Sequence, residues 1–546
     1  MKINKGWAMR YWTLGMGVGG MLLPLLAMAQ SGTGEVRGSG ERIQNYYEQR
    51  QKLAPEAEVA DPVVAPAAAE GPLMAADAGL SFQLTEVSFS PSVFLPADEL
   101  QGFAAPFIGQ QIGMTELEEI VSAVNAAYAS REITTARARL GSQQIDGGVV
   151  HVELVEGRLG QLEITGDARV PERFVRQRIR QQPGEVVQTN ALREDLVYLN
   201  RTSDLTVRAL LRPGEAVGQT DIVLQAQTPS RRVGGVFVDN AGVETTGRER
   251  IGVQGHVWGL AGINDLLAGS VAYAEGGLEG RVSYSGLLNR RNGRVGLSVS
   301  RNQINIIDGA YRQLDITGES TSYSLDLRQP WIANQHWLFS SSGSLARSRS
   351  STDISGIRVS EVESTIVTIG MNLGYRNTGY EWSLQQSVSR INVDEPLRTR
   401  KDFTIANGGF TWMQRLGSTG LLYRTQLGWQ VSDSDFAPSG NLFQAGGVGS
   451  VRGYVRGAIA GPKGYYANLE LHRPYKGSHD AYLFVDHAGI RGDQPRSADI
   501  NSVGVGLSGQ FGSRYSYSLD VGHPLDTVTD DQDSVRADFR IAATWR

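Results

Sequence analysis

The chain has 546 residues with a formal net charge of −5, 66 Gly, seven His and no Cys. Zero Cys excludes disulfides and thiolate metal sites, seven scattered His leave little for a metal cluster, and a near-balanced charge gives no field for nucleic acid. That length holds several ordinary domains, or one large barrel with attachments.

Lys2, Lys5 and Arg10 precede an apolar stretch from Tyr11 to Leu26, and Ala27-Met28-Ala29 puts small residues at a cleavage site before Gln30. This is the pattern of a secretory signal peptide over residues 1–29. The mature chain therefore leaves the cytoplasm, and no later run of about 18 apolar residues offers a spanning helix. Within residues 30–53, Glu41–Leu53 is helix-compatible, with Ile43, Tyr46, Tyr47 and Leu53 in a loose stripe. Residues 54–80, rich in Ala, Pro and acids, have too little apolar surface to pack and read as an extended linker.

Two similar units follow, at 81–158 and 159–229. The first reads as strand Phe82–Phe89, helices Pro96–Ala104 and Met114–Ala129, then strands Ile133–Leu140 and Gly148–Glu156. The second reads as strand Gln161–Thr165, helices Pro171–Arg180 and Asn190–Asn200, then strands Leu205–Leu211 and Asp221–Gln227. A repeated β-α-α-β-β module before a β-rich region is a specific signal.

From residue 230 onward only strands are expected. In the last of them Val535, Ala537, Phe539, Ile541, Ala543 and Trp545 interleave with Arg536, Asp538, Arg540, Ala542, Thr544 and Arg546. Period two sustained over ten residues suits a tilted membrane crossing better than a soluble strand. Turn signals divide the region into about 16 strands. Short turns (Asn289–Asn292, Arg376–Gly379, Leu416–Thr419, Gly512–Arg514) alternate with longer loops (Asn302–Gly318, Ser348–Gly356, Asn392–Lys401, Ser432–Lys463). Trp258, Trp331, Trp337, Trp382, Trp412 and Trp545 fall beside the short turns and read as an aromatic girdle. The fold expected is mainly β: a transmembrane barrel carrying two α+β modules and an N-terminal helix.

The longest loop contains Gly446-Gly447-Val448-Gly449-Ser450-Val451-Arg452-Gly453-Tyr454, whose glycines let the backbone turn tightly in a confined space. Two strands on stands Phe484-Val485-Asp486. An aspartate facing lipid is costly, so parity puts Asp486 with Phe484 and Tyr482 in the lumen, within reach of Arg452.

Val451–Tyr454 (VRGY), Phe484–Asp486 (F-x-D), the two modules and the tethered helix together resemble the TpsB transporters of two-partner secretion. Asp239-Asn240-Ala241-Gly242 with Thr246-Gly247, and Asp520-Val521-Gly522-His523-Pro524-Leu525, add to the likeness. The resemblance implies that the modules are POTRA domains that capture an unfolded TpsA-type exoprotein, and that the residue 30–53 helix plugs the pore. It also implies that the loop lies in the barrel, with Arg452 latched to Asp486. A barrel ending on an aromatic is usual in such proteins, whereas here Arg546 follows Trp545. Strand addition to a sheet edge is a natural way to hold an unfolded chain. The candidate edges are Ile133, Thr135 and Arg137 in the first module and Leu205, Val207 and Ala209 in the second. Outer-membrane lipid and the barrel assembly machinery are the other expected partners. No cofactor, metal or catalytic constellation is expected. The alternatives are a BamA-type assembly factor and a passive or ligand-gated porin.

Overall fold

The computed structural model describes residues 61–64 and 81–546, apart from 168, 170, 217, 263, 310–311, 396–397, 436–438 and 493–496. The expected signal peptide and the helix carrying Ile43, Tyr46, Tyr47 and Leu53 lie outside the described residues. Two compact units divide the chain: Val59–Arg201 with Leu205–Thr228, and Pro229–Arg546 with Thr202–Asp204.

In the first unit, β1 is Val63–Val64, β2 Phe82–Gln83, β3 Glu86–Phe89, α1 Ala97–Ala104 and β4 Gln111–Ile112. Then come α2 (Met114–Ser130), β5 (Ala136–Leu140) and β6 (Val149–Glu156). The sheet order is β3-β6-β5, with β3 parallel and β5 antiparallel to β6. On β6 the even residues Val150, Val152 and Leu154 turn into a core with Leu117, Ile120 and Val124 of α2, as the alternation requires. Tyr128 is fully buried there, and its hydroxyl donates to Glu156 at 3.0 Å.

The second module holds β7 (Arg158–Gly166), α3 (Glu172–Arg176), α4 (Thr189–Thr202), β8 (Thr206–Pro213) and β9 (Gln219–Gln227). Its sheet order is β1-β8-β9-β7. Here the reading of residues 54–80 needs correction. Val63–Val64 is a strand, parallel to β8, pairing with Ala209 and Leu210, and Ala209 N–H donates to Pro62 O at 2.7 Å. The Asp61 carboxylate anchors it through Arg193 at 3.0 Å.

The second unit is a closed antiparallel barrel of 16 strands. They begin with β10 (Arg232–Asp239), β11 (Arg250–Trp258), β12 (Leu266–Ala274), β13 (Gly277–Leu287), β14 (Arg294–Asn305) and β15 (Ile316–Ala333). Next are β16 (Trp337–Ile354), β17 (Ile357–Arg376), β18 (Tyr380–Glu395), β19 (Arg398–Arg415) and β20 (Leu422–Ser432). After β21 (Phe443–Ala445) and β22 (Ile459–Gly461), which stand apart as a hairpin, come β23 (Lys463–Tyr475) and β24 (His479–Arg491). The last are β25 (Ala498–Phe511), β26 (Tyr515–Pro524) and β27 (Arg536–Trp545).

Parity sorts the wall. On β24 Leu483 and Val485 are exposed to lipid, while Tyr482, Phe484 and Asp486 are buried inside. Closure satisfies every backbone group in the hydrocarbon layer. The first and last strands meet from Gly234 opposite Trp545 to Asp239 opposite Arg540. The Asp239-Asn240 pair fastens this seam. Asp239 bridges Arg250 at 2.8 Å and Arg540 at 3.2 Å, and Asn240 bonds Ala537 O and Phe539 N–H at 2.9 and 2.8 Å.

Two expectations are revised. Ser348–Gly356 and Asn392–Lys401 are not loops, because β15 to β19 run on for 16 to 20 residues and turn tightly. About ten residues cross a membrane, so these strands extend well beyond it, and cross-strand ion pairs such as Arg347–Glu363 line the extension. Most of the girdle residues stand by the short turns, where Trp337 packs on Tyr375 and Tyr380 stacks on Trp412. Trp258 does not belong with them: its parity turns it inward and it is buried.

Candidate luminal latch and substrate edges

The long connection from β20 to β23 returns as the β21–β22 hairpin, and its tip is the glycine-rich segment. Gly446, Gly447 and Gly453 all have positive φ. The tip closes on itself through Gly447 N–H to Val451 O (2.9 Å) and Gly446 N–H to Ser450 Oγ (2.9 Å). Phe443, Ala445, Val451, Tyr454 and Ile459 of this loop pack with Tyr466, Ala488, Ile490 and Ile500 of the wall. The loop is therefore folded against the inner wall.

Arg452 is 1 % exposed and Asp486 is fully buried. Nε and Nη2 donate to the two oxygens of Asp486 at 2.7 and 2.6 Å, and the Arg452 backbone N–H adds a third bond at 3.0 Å. Such a planar bidentate fork is what a guanidinium offers and an ammonium lacks. The guanidinium lies 3.6 Å above the centre of the Phe484 ring. The sequence reading thus placed Val451, Arg452, Gly453, Tyr454, Phe484 and Asp486 together, and the geometry brings them together.

It missed the rest of the cradle. Glu470 approaches Arg452 Nη1 at 2.7 Å and Asp520 at 3.3 Å, while Asn468 donates to Asp486 at 2.7 Å. Asn468 and Glu470 lie opposite Asp486 and Phe484 across the β23–β24 ladder. Alternation with the exposed Leu469 and Leu471 was the available signal.

β26 forms the other side of the seat, residue by residue. Asp520 meets Arg452 and Gly522 meets Gly453; just past the strand, Asp526 N–H donates to the Tyr454 hydroxyl at 3.0 Å, while that hydroxyl donates to Asn501 O on β25 at 2.8 Å. A Cβ on Gly522 would lie 2.6 Å from Gly453 N and 2.9 Å from Arg452 C, both backbone atoms. Only glycine permits this approach.

The comparisons fit this arrangement. Residues 218–509 match the model of the haemolysin secretion/activation protein ShlB/FhaC/HecB family, and residues 82–157 match the ShlB-type POTRA domain. The chain belongs to this family. It is 22% identical over 491 residues to the heme/hemopexin transporter protein HuxB of Haemophilus influenzae, covering 83% of this chain and 86% of that one. It is 24% identical over 504 residues to the outer membrane transporter CdiB of Escherichia coli, covering 82% and 79%. The solved structure of CdiB from Escherichia coli superposes with a TM-score of 0.65 at 20% identity, over 93% of this chain and 98% of that one. As a family member, the chain is an outer-membrane transporter that translocates a partner exoprotein, with its POTRA region in the periplasm.

The candidate substrate edges fare differently. β5 is an edge of its sheet, and among the described residues no strand pairs on its outer side. Arg137 is exposed there, but Ile133 is in the core and Thr135 bonds Val187 O at 3.3 Å, both ahead of the strand. The β8 edge is already taken by β1, and Leu205, Val207 and Ala209 are buried. That edge is not free, contrary to expectation. Among the described residues no acidic or histidine group is arranged to hold a metal.

Proposed function

We propose that the chain exports its partner by a mechanical cycle without covalent chemistry of its own, and that the Arg452–Asp486 contact holds the resting state. The unfolded exoprotein docks by adding a strand, first to the free β5 edge and then to β8 in place of Val63–Val64. Backbone hydrogen bonds supply the affinity, so the exoprotein needs little fixed sequence at these positions. Displacing β1 pulls on the segment that precedes it, residues 30–53, which leaves the pore as the plug. The loop then swings from the wall and the chain crosses extended. Folding of the exoprotein outside drives the passage, since the periplasm holds no ATP. The exposed apolar rows meet outer-membrane lipid, and the barrel assembly machinery inserts the barrel there.

One observation carries this reading: a guanidinium held by a bidentate carboxylate in a buried setting, at the tip of a loop folded against the inner wall. Replacing Arg452 by Ala leaves Asp486 buried without its bidentate cation. Breaking one partner of a buried pair costs about 3–5 kcal/mol, less where water enters the lumen. In cells co-expressing the partner, Arg452→Ala should insert as a heat-modifiable barrel but lose secretion. Export at the parental level would remove the latch from the mechanism.

A further inference from the structure

The two periplasmic modules cap their edge strands in the same way. Beside β5, Gly157 N–H donates to Thr135 O at 2.8 Å, so alternation turns the backbone groups of Ala136, Ala138 and Leu140 away from β6. The amide of Asn125 on α2 meets the middle one twice: Ala138 N–H donates to Oδ1 at 2.7 Å, and Nδ2 donates to Ala138 O at 3.2 Å. In β8 the bond from Gly214 N–H to Gln219 O fixes the same parity and turns Val207, Ala209 and Leu211 outward. Asn200 on α4 holds Val207 through two bonds of 2.7 and 2.9 Å. Each asparagine is the twelfth residue of its helix. Asparagine is a poor residue for a helix interior, but its amide offers a donor and an acceptor in one plane, as a peptide group does.

Among the described residues, only the second module carries a further strand on that edge. Val63 lies opposite Ala209, whose N–H donates to Pro62 O at 2.7 Å. One step back, a parallel ladder would need the N–H of residue 62 to reach Val207 O. Asn200 already holds that oxygen and Pro62 has no N–H, so cap and proline end the ladder together. Asp61, one residue earlier, pairs at 3.0 Å with Arg193, the fifth residue of α4. The fifth residue of α2 is Glu118, which is partly exposed. On both helices the fifth and twelfth positions lie two turns apart on one face, so the two modules share a frame and differ in the sign of one charge. On the far side of Ala138 the first module's strand runs into the second, Thr135 bonding Val187 O at 3.3 Å. An added segment therefore enters at Leu140.

We propose that the β5 edge takes a short extended segment of the exoprotein, parallel to β5 and centred on Leu140, with a cationic residue where β1 carries Asp61 and with Asn125 setting where the segment stops. This rests on the strand-addition reading of docking, and adds to it a direction, a register and a charge. Glu118 attracts that cation and repels the chain's own Asp61, which directs Val63–Val64 to β8. A partly exposed ion pair contributes little affinity. Its role here is to sort one extended segment from another, while backbone hydrogen bonds hold whichever is seated.

The chain has no Cys, so Ser142→Cys gives the full mature transporter a single thiol two residues past Leu140. In detergent it is mixed with the end-blocked peptides Lys-Pro-Val-Val-Cys and Asp-Pro-Val-Val-Cys, whose cysteine falls opposite residue 142 when the first Val lies opposite Leu140. The disulfide-trapped fraction is then measured. The lysine peptide should be trapped about threefold more than the aspartate peptide, as a partly exposed ion pair allows, and Glu118→Arg should reverse that order. Asn125→Ala uncovers Ala138, so it should raise trapping of a peptide whose cysteine stands two residues later. Equal trapping of the two charges that Glu118→Arg leaves unmoved, or a best cysteine position that Asn125→Ala leaves unmoved, overturns the inference while strand addition at β5 stands. Trapping of every peptide no greater than at a Thr419→Cys thiol in a barrel turn overturns strand addition itself.

Discussion

Gly522→Ala is the sharpest probe of how the loop is seated, because it adds one methyl group to a strand that accommodates alanine and touches none of the charged groups. The new Cβ would sit 2.6 Å from Gly453 N, and 2.9 Å from both Arg452 C and Gly453 Cα. These are backbone atoms, so no side chain can rotate away. Ordinary contact needs about 3.5 Å, so the loop must retreat by roughly an ångström. Arg452 holds Asp486 through bonds of 2.6 and 2.7 Å, and a donor moved to about 3.6 Å no longer bonds. Overpacking of this kind costs about 1–3 kcal/mol. That cost falls on the seated loop, while the β25–β26 and β26–β27 ladders keep their register. A shift of about 1–3 kcal/mol changes a two-state ratio about 5–150-fold. Single-channel recording should show more frequent opening by a factor in that range, and Val521→Ala, on the opposite face of β26, should behave as the parent. Parental gating in Gly522→Ala would mean that the loop is not held by its fit against β26.

Two further outcomes concern the periplasmic modules. Deleting residues 61–64 uncovers the β8 edge, so the partner's N-terminal region should bind the transporter severalfold more tightly in a pull-down titration; unchanged binding would show that β1 is not a competitor. Burial pushes the Tyr128 hydroxyl up to about 12, with the Glu156 charge adding to it and a bond from Ser92 opposing. An unfolded tyrosine titrates near 10, so the stability from this group is complete below about pH 10 and is lost as pH rises towards 12. Tyr128→Phe should cost about 1 kcal/mol at neutral pH through the lost bond to Glu156, and should flatten this alkaline loss in melts followed by circular dichroism.

The barrel was legible because each strand repeats one two-residue pattern, and lipid on one side with water or protein on the other enforces it over many positions. The last strand, from Val535 to Trp545, shows it in full. The same parity rule was enough to aim Asp486 inward. It says which face a residue takes but not how far a side chain reaches across the lumen. Glu470 and Asp520 therefore went unassigned, though both point inward and both meet Arg452. Length set the other limit. Val63–Val64 is two residues long in an Ala- and Pro-rich stretch, too short for any period, and its pairing depends on an edge some 145 positions away. Ser348–Gly356 looked like a loop because its polar residues carry no apolar alternation, yet cross-strand ion pairs sustain a strand in water where apolar rows are not needed.

The side-chain fastening of β10 to β27 has a bearing on biogenesis. Asn240 reaches Ala537 and Phe539, and Asp239, already paired with Arg250, reaches Arg540, each about 300 positions downstream. The circumference cannot close until β27 is in place against β10. Without β27 the margins of β10 and β26 stay unpaired, and Asp239 keeps Arg250 but loses Arg540.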